Sequence, residues 1–398
     1  MIFLLILLVV INLWLLFPVA IFAVEIFASL LPPRDKAIVS DGDRPDVAIL
    51  VPAHQEESGI AATIVALRGQ LRPGDRLLVV ADNCTDGTAA LARAAGAEVV
   101  ERHDPVRRGK GYALDFGVRH LEQAPVPVVI VVDADCTLTP GSVDRLAGEV
   151  AASGRPVQGL YLMTAPPDGG LNFQVAEFAF LIKNRVRPAG LHRLGLPCHL
   201  TGSGMAFPWE TIRTANLAHA SLVEDMKLGL DLALSGQPPL YCGDARIDSF
   251  FPYTTAGAAT QRSRWEEGHV GMIALALGSL PAAIAARSLK ALALALDILV
   301  PPLTLLILLI IGAFVITAAV TWLFGLPGLA LYISMASLLL FGLSAFVAWF
   351  AYGRDVLSPR ALMKVVPYLF SKLKLYGSMA TGGRSKGWVR TDRKRSDS

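Results

Sequence analysis

Two aspartates one position apart, in Asp133-Ala134-Asp135, are the residues best suited to chemistry. They directly follow 126–132, the most β-branched run in the chain, which predicts a buried strand. Mg²⁺ and Mn²⁺ prefer oxygen ligands, and they take one or two from a protein and the rest from phosphate groups. The pair therefore predicts a divalent-metal site, and an ordinary polar turn is the alternative.

Two further polar clusters contain groups that bind nucleotides. Asp82 follows a second predicted strand and can accept a hydrogen bond from a base imide or bind a ribose, while Asp86 caps the next helix. Lys110, in Arg108-Gly109-Lys110-Gly111, opens a helix, where a cation and free N–H groups hold phosphate. The spacing is not that of a P-loop, and a solvated charge cluster is the alternative.

Two motifs in the second half of the chain suggest acceptor chemistry. Glu224-Asp225 opens a helix, and one of these carboxylates can take a proton from a hydroxyl group; helix capping is the alternative. The segment 261–265, Gln-Arg-Ser-Arg-Trp, combines an amide, two guanidinium groups and an indole. Arginine pairs with phosphate, and an aromatic face stacks on a sugar ring. A Trp and Arg anchor at a membrane interface is the alternative.

The elements around these residues alternate between strand and helix. Strands are predicted at 47–51, 76–81, 97–100 and 126–132, and helices at 58–68, 86–95 and 110–121. This rhythm indicates an α/β fold with a mostly parallel sheet and helices on both faces. Ligands of such sheets bind beyond the carboxyl ends of the strands, where the polar clusters lie. Strands at 158–163 and 203–207 and helices at about 173–187 and 223–234 follow.

The composition indicates a membrane protein. The chain is 53% hydrophobic with a mean hydropathy of +0.50. Apolar blocks at 1–31, 298–324 and 329–352 are each long enough to cross a bilayer, which takes about 20 residues. The first lacks a basic n-region and is interpreted as an uncleaved anchor with Glu25 at the interface. Segment 270–286 and the basic amphipathic segment 361–376 are predicted to lie at the membrane surface.

Charge predicts the orientation of the chain. The loop between the last two blocks has no Lys or Arg, whereas the segment from Arg354 onward has eleven. Basic segments stay on the cytoplasmic side, so we expect an outer N-terminus and a cytoplasmic middle segment. The formal net charge is only +3 and shows no nucleic-acid pattern. Four cysteines without a CxxC pair and seven scattered histidines predict neither disulfides nor a zinc site.

The predicted organisation has six parts. They are an anchor (1–31), a linker (32–46), a catalytic domain (47–269), interfacial helices (270–297), two transmembrane helices (298–352) and a basic cytoplasmic tail with an amphipathic helix (353–398).

The order of the motifs resembles that of inverting glycosyltransferase family 2, which contains cellulose, chitin and hyaluronan synthases. Its series is Asp, DxD, ED and QxxRW, matched here by Asp82, Asp133 with Asp135, Glu224-Asp225, and Gln261 with Arg264-Trp265. Segment 51–56 resembles the family's strand-end P-x-x-N/Q-E. The resemblance covers about 46–269 and implies a GT-A fold that binds a nucleotide-sugar, a UDP-sugar above all, with Mg²⁺ or Mn²⁺.

The resemblance also implies roles for individual residues. It makes Asp225 the general base, and Asp133 and Asp135 the metal ligands. Its implied donor contacts are Pro52, Glu56, Asp82, Lys110, Asp133, Gln261, Arg264 and Trp265. Its implied acceptor contacts are Thr201, Gly202, Ser203, Glu224 and Trp265.

We therefore expect a metal-dependent hexosyltransferase of the inner membrane, with its catalytic domain in the cytoplasm. Its expected acceptor is a lipid-linked saccharide or an oligosaccharide in exopolysaccharide or cell-surface glycan synthesis. Expected partners are the donor, the acceptor, membrane lipids and polysaccharide-export proteins, and not nucleic acid. A processive polysaccharide synthase is one alternative, and an inactive scaffold of a secretion complex is another.

Overall fold

The computed structural model describes residues 1–32, 44–167, 169–219, 223–252 and 255–362. Most of the predicted linker and nearly all of the predicted tail helix lie outside these residues. The strands are β1 Val47–Ala53, β2 Arg76–Asp82, β3 Glu98–Arg102, β4 Val128–Val131, β5 Thr137–Leu138, β6 Val157–Thr164, β7 Met205–Pro208 and β8 Leu240–Phe250.

The helices enclose the sheet and extend beyond it at both ends of the chain. They are α1 Ile2–Ala28, α2 Ile60–Arg68, α3 Thr88–Ala94, α4 Lys110–Leu121, α5 Ser142–Ser153, α6 Leu171–Leu181, α7 Arg187–Arg193, α8 Trp209–Thr214, α9 Glu224–Leu234, α10 Thr255–Ala285, α11 Leu289–Ile298, α12 Leu303–Phe324, α13 Leu329–Ala348 and α14 Pro359–Leu362. Two π-helical segments, Ile182–Val186 and Trp349–Gly353, follow α6 and α13.

One sheet of eight strands, in the order β3-β2-β1-β4-β7-β6-β8-β5, forms the centre of the domain. The first four strands in this order are parallel, as the βα rhythm predicted. The other half is mixed, because β7 runs antiparallel to both β4 and β6. Parallel pairing therefore runs without a break from β3 to β4, as predicted, and recurs between β6 and β8.

Alternate residues of the inner strands bury opposite faces of the sheet. In β1, Ile49 packs with helices α2 and α5 on one face, and Leu50 packs with α4 and α9 on the other. Both side chains are fully buried, as expected for a strand covered by helices on both sides. This packing confirms the predicted layers and fixes the carboxyl ends of β1, β2 and β4 at one edge.

Strand β8 was not predicted, because its sequence alternates buried residues with charged ones and includes no apolar run. It pairs with β6 and with the short β5, where Thr137 lies opposite Asp248. Since β5 begins two residues after Asp135, this pairing holds the loop that follows β4. The strand thereby positions both aspartates of the DxD motif.

Within the described residues, four helices are long and apolar enough to cross a membrane: α1, residues 257–285 of α10, α12, and residues 329–353. Three of them, α1, α12 and α13, pack together in shared apolar clusters. Phe22 stacks on Phe341 at 5.3 Å between ring centroids, and Asn12 donates a hydrogen bond of 2.9 Å to Thr317. These contacts join the N-terminal helix to the two C-terminal ones.

Helix α10 differs from its prediction as a short interfacial segment. It continues unbroken from the QxxRW motif into the apolar stretch, so the predicted domain boundary at residue 269 falls inside a helix of 31 residues. Its apolar side packs with α9 and α11 in a separate cluster through Met272 and Ala276. Among the described residues, no member of this cluster belongs to the clusters of α1, α12 and α13. Since α9 is part of the domain, this packing associates α10 with the domain.

A buried ionic cluster connects the N-terminal helix to the domain. Arg187 of α7 donates to Glu25 of α1 at 2.5 Å and also pairs with Asp297 of α11. His199 contacts the second Asp297 oxygen at 2.7 Å. Burial raises the pKa of Asp297, but Arg187 and His199 outweigh this and leave it below its ordinary value. The Glu25 side chain is almost fully buried within the protein, and its predicted position at the membrane interface stays a prediction.

Glycine permits this contact between α1 and α7. A Cβ atom on Gly190 would lie 1.9 Å from the backbone oxygen of Glu25. The two helices approach so closely only because position 190 has no side chain, and Arg187 then reaches the carboxylate.

We predict that Arg187→Met destabilises the protein by about 3–5 kcal/mol, because it leaves two buried carboxylates without their cation. The melting temperature of the detergent-purified chain measures this. Arg185→Met is the matched control: Arg185 is exposed and stacks on Tyr352 at 5.5 Å, a contact worth about 0.5–1 kcal/mol. Equal melting temperatures for the two variants would show that the cluster does not stabilise the fold.

Candidate functional site

A cavity of about 180 Å³ lies at the carboxyl ends of β1, β2 and β4. Parallel strands end at the same edge, so polar residues far apart in sequence meet there. The lining includes seven residues expected to bind a donor or metal: Pro52, Glu56, Asp82, Lys110, Asp133, Asp135 and Arg264.

Asp82 is held by an arginine that the sequence did not indicate. Arg102, at the end of β3, donates to the Asp82 carboxylate at 2.6 Å, and its guanidinium lies 5.6 Å from the ring centre of Tyr112. Asn83 donates to the same oxygen at 2.9 Å. One carboxylate oxygen of Asp82 therefore accepts both hydrogen bonds, and these contacts fix the side chain at the wall of the cavity.

Lys110, at the start of α4, connects three parts of the site. Its ammonium pairs with Asp133 at 2.5 Å and donates to the Gly202 carbonyl at 2.7 Å. Burial lowers the pKa of Lys110, but Asp133 and Glu224 outweigh this effect and raise it. The lysine therefore remains a cation beside the DxD motif, as phosphate binding requires.

The carboxylates of Asp133 and Asp135 lie together with the Cys136 thiol, their ligand atoms within 4.8 Å of one another. Asp135 accepts a hydrogen bond of 2.9 Å from Ser249 of β8, which orients one carboxylate oxygen. Burial raises the pKa of Cys136 to about 12, so this sulfur stays a protonated thiol and a poor ligand. The two carboxylates are a donor set that fits Mg²⁺ or Mn²⁺, with further positions left for phosphate oxygens.

A second cavity, of about 680 Å³, adjoins the first. Arg108, Gly109, Lys110, Asp133 and Arg264 line both. Its lining includes six other residues that the sequence singled out: Thr201, Gly202, Glu224, Asp225, Gln261 and Trp265. The structure thus brings the predicted acceptor residues against the predicted donor residues, with the Lys110–Asp133 pair at the junction.

Asp225 lies in the first turn of α9, close to Gly202. One of its oxygens accepts from the Met226 N–H at 2.8 Å, and the other would lie 3.2 Å from a Cβ atom on Gly202. Gly202 has a φ of +91°, which side chains rarely tolerate. Because Gly202 has no side chain, its backbone can lie close to both Asp225 and Lys110.

Glu224 is the other carboxylate of this motif. Burial, and then the charge of Asp225, raises the pKa of Glu224 to about 7.

The QxxRW residues divide between the cavities. Arg264 lines both, whereas Gln261 and Trp265 line only the larger one. The indole of Trp265 lies 5.7 Å from the ring centre of Phe180, which extends an aromatic wall. Gln261 is 2% exposed, and its side-chain oxygen has no hydrogen-bond partner in the described part of the chain. A buried acceptor without a protein partner can accept a hydrogen bond from a ligand hydroxyl or from water.

Ser203 differs from the other predicted acceptor contacts. It is fully buried and lines neither cavity. Its hydroxyl accepts from the Asp133 N–H at 3.1 Å, and its carbonyl accepts from Gln158 at 2.9 Å. The residue therefore lies behind the DxD loop and positions Asp133, instead of meeting an acceptor.

Comparisons with known proteins agree with this geometry. Residues 45–268, more than half of the chain, match the family described as "Glycosyltransferase like family 2". Three curated mycobacterial proteins, from Mycobacterium bovis and two strains of Mycobacterium tuberculosis, are described as uncharacterized glycosyltransferases. They are 35% identical over 122 residues, which is 29% of this chain and 51% of theirs. The chain thus matches about half the length of these relatives.

Two solved structures extend the comparison. Mannosyltransferase PcManGT from Pyrobaculum calidifontis, a complex with GDP-Man and Mn²⁺, has a TM-score of 0.52 at 18% identity and covers 88% of this chain and 98% of its own. Glucosyl-3-phosphoglycerate synthase from Mycobacterium tuberculosis, in complex with Mg²⁺ and UDP, has a TM-score of 0.38 at 21% identity. The match covers 59% of this chain and 84% of the synthase.

The sheet and its flanking helices define a GT-A-like fold. The chain belongs to glycosyltransferase family 2.

We predict that Asp135→Asn lowers the rate of nucleotide release by at least about a hundredfold, since it removes one of two anionic metal ligands. Rates measured against Mn²⁺ and Mg²⁺ concentration test this, and a chelator should act on the wild type in the same way. Asp86→Asn is the matched control, because Asp86 bonds to Thr88 at the start of α3 and lines neither cavity. Full activity of Asp135→Asn, or indifference to chelator, would remove the metal assignment.

Proposed function

We propose that this chain transfers a sugar, with inversion, from a nucleotide-sugar to a lipid-linked or saccharide acceptor at the inner leaflet of a bacterial-type membrane. The observation that carries the proposal is the pair of cavities that meet at Lys110 and Asp133. One is built from strand ends and suits a nucleotide; the other contains Asp225 and suits an acceptor. A sugar at the junction is accessible from both.

The donor side combines position and charge. Asp82, Pro52 and Glu56 contact the nucleoside, and a UDP-sugar is the donor we propose. Lys110 and Arg264 pair with the diphosphate, since both line the junction. Asp133 and Asp135 would hold Mg²⁺ or Mn²⁺, which would supply further positive charge for the diphosphate.

The acceptor side supplies the base. Asp225 accepts the proton of the attacking hydroxyl, while Thr201, Gly202 and Glu224 surround the reacting oxygen. Trp265 stacks on the acceptor sugar, and Gln261 accepts a hydrogen bond from a hydroxyl. Since base and leaving group lie on opposite sides of the sugar, attack occurs from the rear and an α-linked donor yields a β-linked product.

We predict that Asp225→Asn retains nucleotide affinity within about twofold while transfer falls by about a thousandfold, as expected for removal of a general base. A purified full-length chain, a panel of nucleotide-sugars and a lipid-linked acceptor serve as the assay. Isothermal titration with UDP and Mn²⁺ measures affinity. A variant that loses nucleotide binding but keeps its turnover would show that the base lies elsewhere.

Product size in the same assay separates the proposal from a processive synthase. The three helices that pack together in the described part of the chain are few elements to wall a polymer channel in lipid, where every backbone polar group must be satisfied. We therefore expect one or a few added sugars. A ladder that runs to high polymer would favour the synthase, and the absence of nucleotide release from every donor would favour a scaffold in a polysaccharide-secretion complex.

We also predict an outer N-terminus and a cytoplasmic C-terminus, because the basic residues concentrate after Arg354. Three spans, α1, α12 and α13, satisfy this orientation, and α10 then lies at the cytoplasmic interface with the catalytic domain. Reporter fusions at Met1 and Ser398 measure the two locations. Termini on the same side would mean that α10 spans as well.

A further inference from the structure

The larger cavity extends from the proposed base to the start of a membrane helix. Its lining includes Asp225 at one end and Pro301, Pro302, Leu303 and Thr304 at the other. The last two residues begin α12, which is long and apolar enough to span a bilayer. A ligand with a lipid tail can therefore occupy this cavity while its tail stays in the membrane.

Lys183 is a half-buried cation of this cavity that has no ion-pair partner among the described residues. It lies in the π-helical segment between α6 and α7, half-buried, and lines the cavity. In the described part of the chain it makes neither a hydrogen bond nor an ion pair. Burial lowers the pKa of Lys183, and Asp225 offsets this only in part, which reflects a charge without an adjacent partner.

The other basic side chains near the membrane end already have partners. Arg187 is paired with Glu25 and Asp297, and the His269 ring contacts the Ile298 carbonyl at 3.1 Å. These contacts leave Lys183 as the group available to an anion. A half-buried ammonium gains most from a ligand that brings its own negative charge.

Asn184 adds a second group without a partner. Its side chain is 4% exposed, it lines the same cavity, and its oxygen has no hydrogen-bond partner among the described residues. A buried amide oxygen is costly to leave unpaired, so a ligand hydroxyl fits there. Phe180 and Trp265 form an aromatic wall toward Asp225, a surface that suits sugar rings.

We propose that Lys183 binds the phosphate of a lipid-linked acceptor and that Asn184 accepts a hydroxyl from the sugar beside it. The inference rests on the proposed function and deepens it, because it names the chemical class of the acceptor. The phosphate lies at the membrane end of the cavity, the saccharide extends along the aromatic wall, and its terminal hydroxyl reaches Asp225.

Binding of farnesyl phosphate, farnesol and inorganic phosphate to the full chain in nonionic detergent tests the proposal. We expect farnesyl phosphate to bind the wild type about tenfold more tightly than farnesol, the effect of one charge-assisted hydrogen bond. Lys183→Gln should abolish that difference, Lys183→Arg should keep most of it, and Arg185→Gln, on the outer side of the same segment, should leave it unchanged. Melting curves confirm that each variant is folded.

The proposal would be overturned by equal affinity for farnesyl phosphate and farnesol, by equal behaviour of Lys183→Gln and Arg185→Gln, or by inorganic phosphate binding as tightly as farnesyl phosphate. If phosphatidylglycerol displaced farnesyl phosphate when present at the same mole fraction, the site would be assigned to bulk lipid. That result would overturn the acceptor role. Donor hydrolysis by the wild type is measured separately. Its absence together with intact Lys183-dependent binding would remove the transferase proposal alone.

Discussion

The ionic cluster of Glu25, Arg187, Asp297 and His199 is the interaction on which the arrangement of the apolar helices and the domain depends. It brings a charge from an apolar N-terminal helix, a guanidinium from α7 and a carboxylate from α11 into one buried contact. A buried ion pair contributes little net stability against an apolar replacement, but it strongly penalises any arrangement that separates its members. The cluster therefore specifies how α1, α7 and α11 pack.

That packing has consequences for the site. The π-helical segment with Lys183 and Asn184 directly precedes Arg187, so the cluster also places the wall of the larger cavity. The start of α12 follows α11 by a few residues and completes the same wall. A cavity between the sheet domain and a long apolar helix needs such a connection, since neither element alone would hold the other at the required distance.

The opposite side of the site depends on the sheet. Parallel strands place Asp82 and Asp133 at one edge, and β8 then holds Asp135 through Ser249. Lys110 and Gly202 join this edge to Asp225. The resulting charge pattern alternates between carboxylates and cations over a short distance, which is suited to a diphosphate with a divalent cation. Membership of glycosyltransferase family 2 agrees with this pattern.

The sequence alone was sufficient for the features that depend on local pattern. β-Branched runs marked the inner strands, the strand ends marked Asp82 and Asp133, and the motif order indicated the family before any contact was known. The bounds of α4 were also predicted, because Gly109 and Lys110 mark its start clearly. Other features depend on hydrogen bonds between residues distant in the chain. Examples are the bonds from Arg102 to Asp82, from Ser249 to Asp135 and from Arg187 to Glu25. Periodicity and propensity describe neighbours within a few residues, so they carry no information on such pairs. Only the packed structure determines which charges are neutralised and which, like Lys183, are left for a ligand.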